Sequence, residues 1–207
     1  MSLALATRLS AMGIRDPRVL RAVEQVPRRL FVPAPLRDES EADRPLPIGH
    51  GQTISQPYVV ALMTEALRLT GTERVLEVGT GSGYQCALLA HLAAEVYSIE
   101  IVADLAERAA DVLLGELGLE NVHLRVGDGR GGWPEAAPFD AIVVTAAPAA
   151  IPPALVEQLS PGGRMVIPVG GDPEVQSLQL VRRDEAGGTA VADLLPVRFV
   201  PLTGERP

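Results

Sequence analysis

Residues 74–83 read RVLEVGTGSG: a short apolar run interrupted by Glu77, then Gly79, Gly81 and Gly83 at alternate positions. A run of this length ending in glycines reads as a buried strand feeding a tight turn, and the residues from Tyr84 to Leu92 continue as an apolar helix. Alternate glycines let the backbone turn sharply and let a ligand approach with no β-carbon in the way. An acid, Glu100, closes the next apolar run, Val96 to Glu100, and stands 21 residues beyond Gly79. That is close to the roughly 20 residues expected for a carboxylate that grips ribose hydroxyls. Strand, glycine turn, helix, strand and acid together point to a nucleoside-containing ligand over the first strand-to-helix turn.

The spacing then selects among nucleosides. The pattern is GxGxG, and Tyr84 occupies the place where a dinucleotide fingerprint requires its third glycine. Glu77 lies in the strand beside the loop, and a carboxylate there suits an ammonium and repels a pyrophosphate. S-adenosylmethionine carries an α-ammonium and a sulfonium and has no phosphate, so it is the expected cofactor. Asp128 and Gly129 follow the third strand, where a carboxylate accepts the exocyclic amino group of adenine and an amide N–H faces a ring nitrogen. Alone, such an aspartate reads as a turn former; beside the glycine loop and Glu100 it reads as part of the nucleoside site.

Working outward, helix and strand patterns alternate. A helix is expected from Gln56 to Leu69, another from Val102 to Leu117, and a third from Pro152 to Leu159, closed by a turn at Ser160, Pro161, Gly162 and Gly163. Strands are expected at Val122 to Val126, Phe139 to Thr145 and over MVIPVG, residues 165–170. Apolar strands alternating with helices imply an α/β, Rossmann-like fold, with a mostly parallel, doubly wound sheet covered on both faces. Two last extended runs, Ser177 to Val181 and Val191 to Val200, flank Gly187 and Gly188 and predict an antiparallel hairpin at the sheet edge. Residues 1–50 differ in texture, with helical patterns around Leu3, Leu5 and Leu9 and around Val19, Leu20 and Val23. Asp16 before Pro17 reads as a helix cap. Prolines 27, 33, 35, 45 and 47 then force an extended, turn-rich path, and the acidic stretch from Asp38 to Asp43 reads as a solvated loop. The division expected is a helical, proline-rich extension over 1–50 and one compact catalytic unit over 51–207.

Composition narrows the chemistry. The 207 residues are 47% hydrophobic, 21% charged and 3% aromatic, which excludes a disordered chain and an aromatic platform for single-stranded nucleic acid. The net charge of −8 repels polyanions. All 18 basic residues are arginine, so Schiff-base and P-loop lysine chemistry are impossible. Residues 1–50 hold eight arginines and six acids, leaving the remainder at net −10, so the extension is expected to help attract acidic peptides. A single cysteine, Cys86, set among Ala87, Leu88 and Leu89, reads as a buried structural thiol. His91 and His123 read as surface or structural residues, and Trp133 as a loop anchor. Three scattered histidines suggest no metal, and no apolar stretch is long enough to span a bilayer. A cytoplasmic monomer with no nucleic-acid, membrane or metal partner is expected.

EVGTGSGYQ, the GDG turn, APFDAIVVTAAP and above all PIGHGQTISQPYVVA and RFVPLT resemble the protein-L-isoaspartate (D-aspartate) O-methyltransferases. The similarity runs from about Val19 to the terminal RFVPLT. It implies methylation, with S-adenosylmethionine, of the α-carboxylate of L-isoaspartyl residues in damaged proteins and peptides. S-Adenosylhomocysteine is the product, and the ester then cyclises to a succinimide on the way to repair. The family's active-site serine falls on Ser55. The resemblance also places Gln52, Thr53 and Ile54 at the cofactor, Gln56 beside Ser55 at the substrate, Thr203 on the cofactor side, and Val200, Pro201 and Leu202 along the substrate backbone. His50 stands where many bacterial members have glutamine, Arg130 where an aromatic is common, and Val60 where some animal members have histidine.

The nucleophile in such a reaction is a carboxylate already ionised near neutral pH, so no strong general base is needed. Positioning and exclusion of water carry the catalysis, and Ser55 suits a neutral donor that orients the carboxylate. The same serine, just ahead of the helix at Gln56, also reads as an N-cap. Two rival readings remain: a methyltransferase of another substrate (a small molecule or RNA, the latter opposed by the net −8), and a catalytically idle nucleoside-binding module.

Overall fold

The computed structural model describes residues 3–172 and 175–204. Two helices come first, α1 (Leu3–Ala11) and α2 (Pro17–Gln25). Asp16 caps α2, its carboxylate accepting from Arg18 N, with Pro17 at the first turn, where a missing N–H costs nothing. The proline-rich stretch then forms two 3₁₀ turns, Arg28–Phe31 and Ala34–Glu39, and enters a hairpin of β1 (Leu46–Gly49) and β2 (Gln52–Ile54). Next come α3 (Pro57–Leu67), β3 (Arg74–Val78), α4 (Tyr84–Ala90) and β4 (Glu95–Glu100). They are followed by α5 (Ala103–Ala110), β5 (Val122–Val126), β6 (Phe139–Val144), α6 (Pro153–Glu157), β7 (Leu159–Val169), β8 (Gln176–Arg183) and β9 (Thr189–Val197).

The main sheet has seven strands in the order β5-β4-β3-β6-β7-β8-β9. The first five are parallel, and the β8–β9 hairpin is added antiparallel to β7. The chain runs outward from β3 through β4 to β5, then returns to lay β6 on the other side of β3. That reversal opens a crevice at the carboxyl ends of β3 and β6, where ligands bind in such sheets.

Side-chain alternation divides the core between the two faces of the sheet. Val75, Ala141, Val143 and Val166 pack with α3, α4 and α5, whereas Leu76, Val78, Ile142, Val144, Met165 and Ile167 pack with Leu155 of α6. Leu5, Leu9, Val19 and Val23 of α1 and α2 belong to the first of these clusters, so the N-terminal helices share a core with the sheet.

Three local expectations are corrected. Ser160, Pro161, Gly162 and Gly163 do not close a helix but lie inside β7. The register there steps from Phe139 opposite Leu159 to Ala141 opposite Arg164, so the extra residues bulge out with Gly162 at φ 77°. The helix expected to reach Leu117 leaves α-geometry at Asp111 and ends in a π turn, Asp111–Glu116. The acidic stretch is not wholly solvated: Asp43 is half-buried, and its carboxylate accepts from Tyr58 N and from Gln56 Nε2, both at 2.9 Å.

Candidate active site

Above the crevice lies an open cleft. The glycine loop makes its floor. Gly79 has φ 95°, and a β-carbon there would fall 2.3 Å from Thr145 Oγ1, so no other residue fits between β3 and β6. Gly81 lines the cleft, but Gly83 does not: it starts α4, and its missing β-carbon admits Ala109 and Leu113 at 3.2–3.3 Å. Gly83 thus packs the start of α4 against Ala109 and Leu113 and lies outside the cleft lining.

Glu100, 6% exposed, lines the cleft at the end of β4. Its Oε2 accepts from Gly81 N at 2.7 Å and its Oε1 from Val102 N at 2.9 Å. Two backbone amides thus fix the carboxylate, whose remaining lone pairs suit a pair of hydroxyls.

Glu77 is placed differently from its sequence reading. It is wholly buried, shares a face with Val75 beneath α4, and lies outside the cleft lining. Its Oε2 accepts from Ser98 Oγ, whose hydroxyl is 2.5 Å from that of Thr80. Burial pushes its pKa up to about 8, opposed by hydrogen bonds from Ser98 and Cys86 and assisted by the charge of Glu100. At neutral pH the carboxyl is mostly uncharged. A mostly uncharged Glu77 does not repel a pyrophosphate, so the exclusion of a dinucleotide rests on the glycine spacing alone. Cys86 is buried beside it, its thiol pushed well above the ordinary range by the same burial.

Gly129 lines the cleft and is packed so tightly that a β-carbon would come 2.4 Å from Val78 Cγ1. Asp128 caps the turn Gly129–Gly131 through Arg130 N at 2.9 Å, and its carboxylate also holds the Arg130 guanidinium, with Nη2 at 2.6 Å. The side chain of Asp128 is outside the cleft lining. Arg130 in turn lies over Gly204, where a β-carbon would collide with it at 1.7 Å.

Gln52, Thr53, Ile54 and Ser55 form the wall opposite the glycine loop. Their hairpin is docked on α5 by Arg108 Nη2 donating to Ile48 O at 3.1 Å, and His50 at its tip lies 3.4 Å from Asp104. Ser55 does not cap α3. The cap position is Gln56, whose side chain makes no capping hydrogen bond, and Asp43 supplies the missing acceptor to Tyr58 N from 15 residues upstream. Val200, Pro201, Leu202 and Thr203 complete the cleft as a strap across the sheet. It is held by Ala147 N to Val200 O and Leu202 N to Ala147 O, both 2.8 Å.

A second cleft opens on the far side of Ser55. It is lined by Gln56, Tyr58, Val59 and the segment Leu195 to Phe199, and it shares Thr53, Ser55, Thr145 and Val200 with the first. Sequence reasoning missed Thr145, whose hydroxyl donates to the carbonyl of Val78 at 3.2 Å, and Tyr84 and Gln85 of the wall. The signal for Gln85 was present, as the polar residue in the otherwise apolar QCALLA of α4. It also missed Arg28, 0% exposed, which donates to Ser55 O. His123 and Trp133 are structural as expected, His123 stacked on Tyr97 with Trp133 set edge-on to the same ring. Among the described residues no group of three or more His, Cys, Asp or Glu is placed to hold a metal ion, and no helix is long and apolar enough to cross a membrane.

Residues 2–207 match the profile of the family described as protein-L-isoaspartate(D-aspartate) O-methyltransferase. A protein-L-isoaspartate O-methyltransferase 1 of Anaeromyxobacter sp. (strain Fw109-5) is 64% identical over 204 residues, spanning 99% of this chain and 96% of its own. A protein-L-isoaspartate O-methyltransferase of Myxococcus xanthus (strain DK1622) is 59% identical, over 97% and 95% of the two chains. Among solved structures, a protein-L-isoaspartate O-methyltransferase superposes with TM-score 0.87 at 30% identity, covering 99% of this chain and 66% of the other. A Plasmodium falciparum protein, described as a protein-L-isoaspartate O-methyltransferase in complex with S-adenosyl-L-homocysteine, superposes with TM-score 0.84 at 26% identity, covering 97% of both.

Proposed function

The chain belongs to the protein-L-isoaspartate (D-aspartate) O-methyltransferase family, and from that premise we propose how its two clefts share the work. Its reaction methylates the α-carboxylate of L-isoaspartyl residues in damaged proteins and peptides, yielding an ester that closes to a succinimide. When bound, S-adenosylmethionine supplies an electrophilic methyl group on its sulfonium.

The residues present fit that group. Gly81 leaves the cleft floor free of a β-carbon, Glu100 presents a fixed carboxylate for ribose hydroxyls, and the wall holds a buried acceptor on Gln85 that has no partner among the described residues. Glu100, Gly79, Gly81 and Gly129 would hold the cofactor from the sheet side, and Gln52, Thr53, Ile54 and Thr203 from the hairpin and strap. Gly129 would meet the adenine edge, and Asp128, its carboxylate taken up by Arg130 outside the cleft lining, would hold that turn in place. Glu77 and Gly83 support the loop from behind.

The observation that carries the proposal is that the two clefts meet at Ser55. A peptide in the second cleft, against Gln56 and Val200, presents its isoaspartyl carboxylate to the first, where Pro201 and Leu202 of the strap would meet the reacting end of its backbone. The Ser55 hydroxyl donates one hydrogen bond to that carboxylate, which orients it without removing its charge. Hairpin and strap exclude water, which otherwise blunts a carboxylate as a nucleophile. The test is methyl transfer to a synthetic isoaspartyl peptide, with the matching aspartyl peptide as control. Transfer to the isoaspartyl peptide alone is expected, and equal labelling of both peptides would refute the specificity.

A further inference from the structure

Gln85, the second residue of α4, is 6% exposed and lines the cofactor cleft. Its side chain is oriented by a chain of hydrogen bonds. Thr64 Oγ1 donates to the carbonyl of Val60 at 2.8 Å, which commits its only proton. Toward Gln85 the hydroxyl must therefore accept, and it does so from Nε2 at 2.8 Å. The amide cannot be turned over without setting two acceptors against each other, so Oε1 is fixed on the opposite side. That oxygen is buried and has no hydrogen-bond partner among the described residues. A buried acceptor left unmade is costly, and a polar side chain retained in an otherwise apolar helix calls for a donor.

We propose that Gln85 Oε1 accepts a hydrogen bond from the α-ammonium of the bound methyl donor and of its product. The assignment rests on the S-adenosylmethionine reading above. Through Thr64 and Val60, Gln85 is tied to α3 and so to the Ser55 side of the glycine loop, whereas Glu100 and Gly129 mark the nucleoside side. Glu100 and Gln85 line the same cleft, so in this assignment a ligand whose ribose meets Glu100 would direct its amino-acid tail toward Gln85. That tail offers a sulfonium or thioether, a carboxylate and an ammonium, and only the ammonium has protons to give. Glu77, the carboxyl nearest in sequence, is buried behind the loop and mostly uncharged at neutral pH, so a neutral carbonyl takes the role that the sequence had suggested for a charge.

The test compares two ligands by calorimetry at pH 7: S-adenosylhomocysteine and 5′-methylthioadenosine, which keeps the nucleoside and the thioether but lacks the amino-acid tail. Gln85→Leu is expected to weaken S-adenosylhomocysteine roughly tenfold to a hundredfold and methylthioadenosine by no more than about twofold. Gln85→Glu, which retains an acceptor, is expected to recover most of the loss. Methylthioadenosine binding also reports that each variant is folded; should Gln85→Leu fail it, Gln85→Met carries the same comparison. Equal weakening of both ligands, or no weakening of S-adenosylhomocysteine, overturns the assignment. A wild-type chain that binds neither ligand overturns the methyl-donor reading and this assignment with it.

Discussion

Arg28 Nη2 donates a hydrogen bond to the carbonyl oxygen of Ser55 at 2.9 Å, across 27 residues of chain. The same guanidinium bonds the carbonyls of Ser40 and Arg44 and lies 5.8 Å from the centre of the Tyr84 ring. Desolvation lowers its pKa to about 10, which still leaves it charged at neutral pH. One buried cation thus clips the proline-rich extension to the loop that carries Ser55. Arg28→Met leaves three carbonyls without this donor and should cost about 3 kcal/mol of stability. It should also slow methyl transfer at temperatures where the variant remains folded. Denaturant unfolding together with steady-state kinetics checks both effects; unchanged kcat in a folded variant would show that the clip is structural only.

Ser55 and Asp43 separate catalysis from capping. Because Asp43, not Ser55, accepts from Tyr58 N, Ser55→Ala should leave stability and S-adenosylmethionine affinity nearly unchanged. It should lower kcat about tenfold to a hundredfold, the worth of one hydrogen bond to a charged group. Asp43→Ala should do the reverse in stability, losing about 1 kcal/mol as a cap is lost. Wild-type turnover in Ser55→Ala would remove the serine from the mechanism.

How much of this was legible beforehand varied with how local the cause was. The glycine loop, Glu100 and the order of helices and strands were readable because turn chemistry and apolar periodicity are written into adjacent residues. Glu77 was misplaced although period-two alternation contained the answer: it shares its face with Val75, so it points under α4, not into the cleft. Asp43 and Arg28 gave no local sign. One sat in an acidic stretch and the other in a basic pair, and only the path of the proline-rich extension brings them to Ser55 and α3. The bulge at Ser160–Gly163 resembled a plain turn because proline and glycine serve both.

The buried Glu77 should mark the pH dependence of stability. Its folded pKa, about 8, lies above its ordinary value of 4.5, so the folded protein holds a proton that the unfolded chain releases between those limits. Stability from this group is complete below about pH 4.5 and is lost as pH rises toward 8, with a slope of at most ~1.4 kcal/mol per unit. Glu77→Gln keeps a neutral side chain there and should flatten this component. Urea unfolding of both proteins from pH 5 to 9 is the measurement, and parallel curves would place the titration elsewhere.

The arginine-rich extension bears on substrate choice. Residues 1–50 carry net +2 on a chain of net −8, so acidic flanks around the isoaspartyl residue should raise kcat/KM at low salt. The advantage should shrink as ionic strength shortens the range of the field. Rates for acidic and neutral peptides at two salt concentrations decide it; identical rates with identical salt response would leave no steering.

Gly79 tests the loop itself by separating two costs. Its φ of 95° strains any residue with a β-carbon, and the space that carbon needs is held by Thr145 Oγ1 at 2.3 Å. Gly79→Ala should therefore lower stability by about 2 kcal/mol and weaken cofactor binding at least tenfold, since the loop must shift away from β6. Adding Thr145→Ala removes the collision but not the strain. If sterics dominate, the double variant should recover more than half of the lost affinity; if backbone strain dominates, it should recover almost none. Thr145→Ala alone supplies the fourth corner of the cycle, because it also removes the one hydroxyl proton that Thr145 shares between the carbonyls of Val78 and Gly79. Binding of S-adenosylhomocysteine to all four proteins gives the coupling energy directly, and a coupling near zero would mean that the contact between β3 and β6 does not shape the loop.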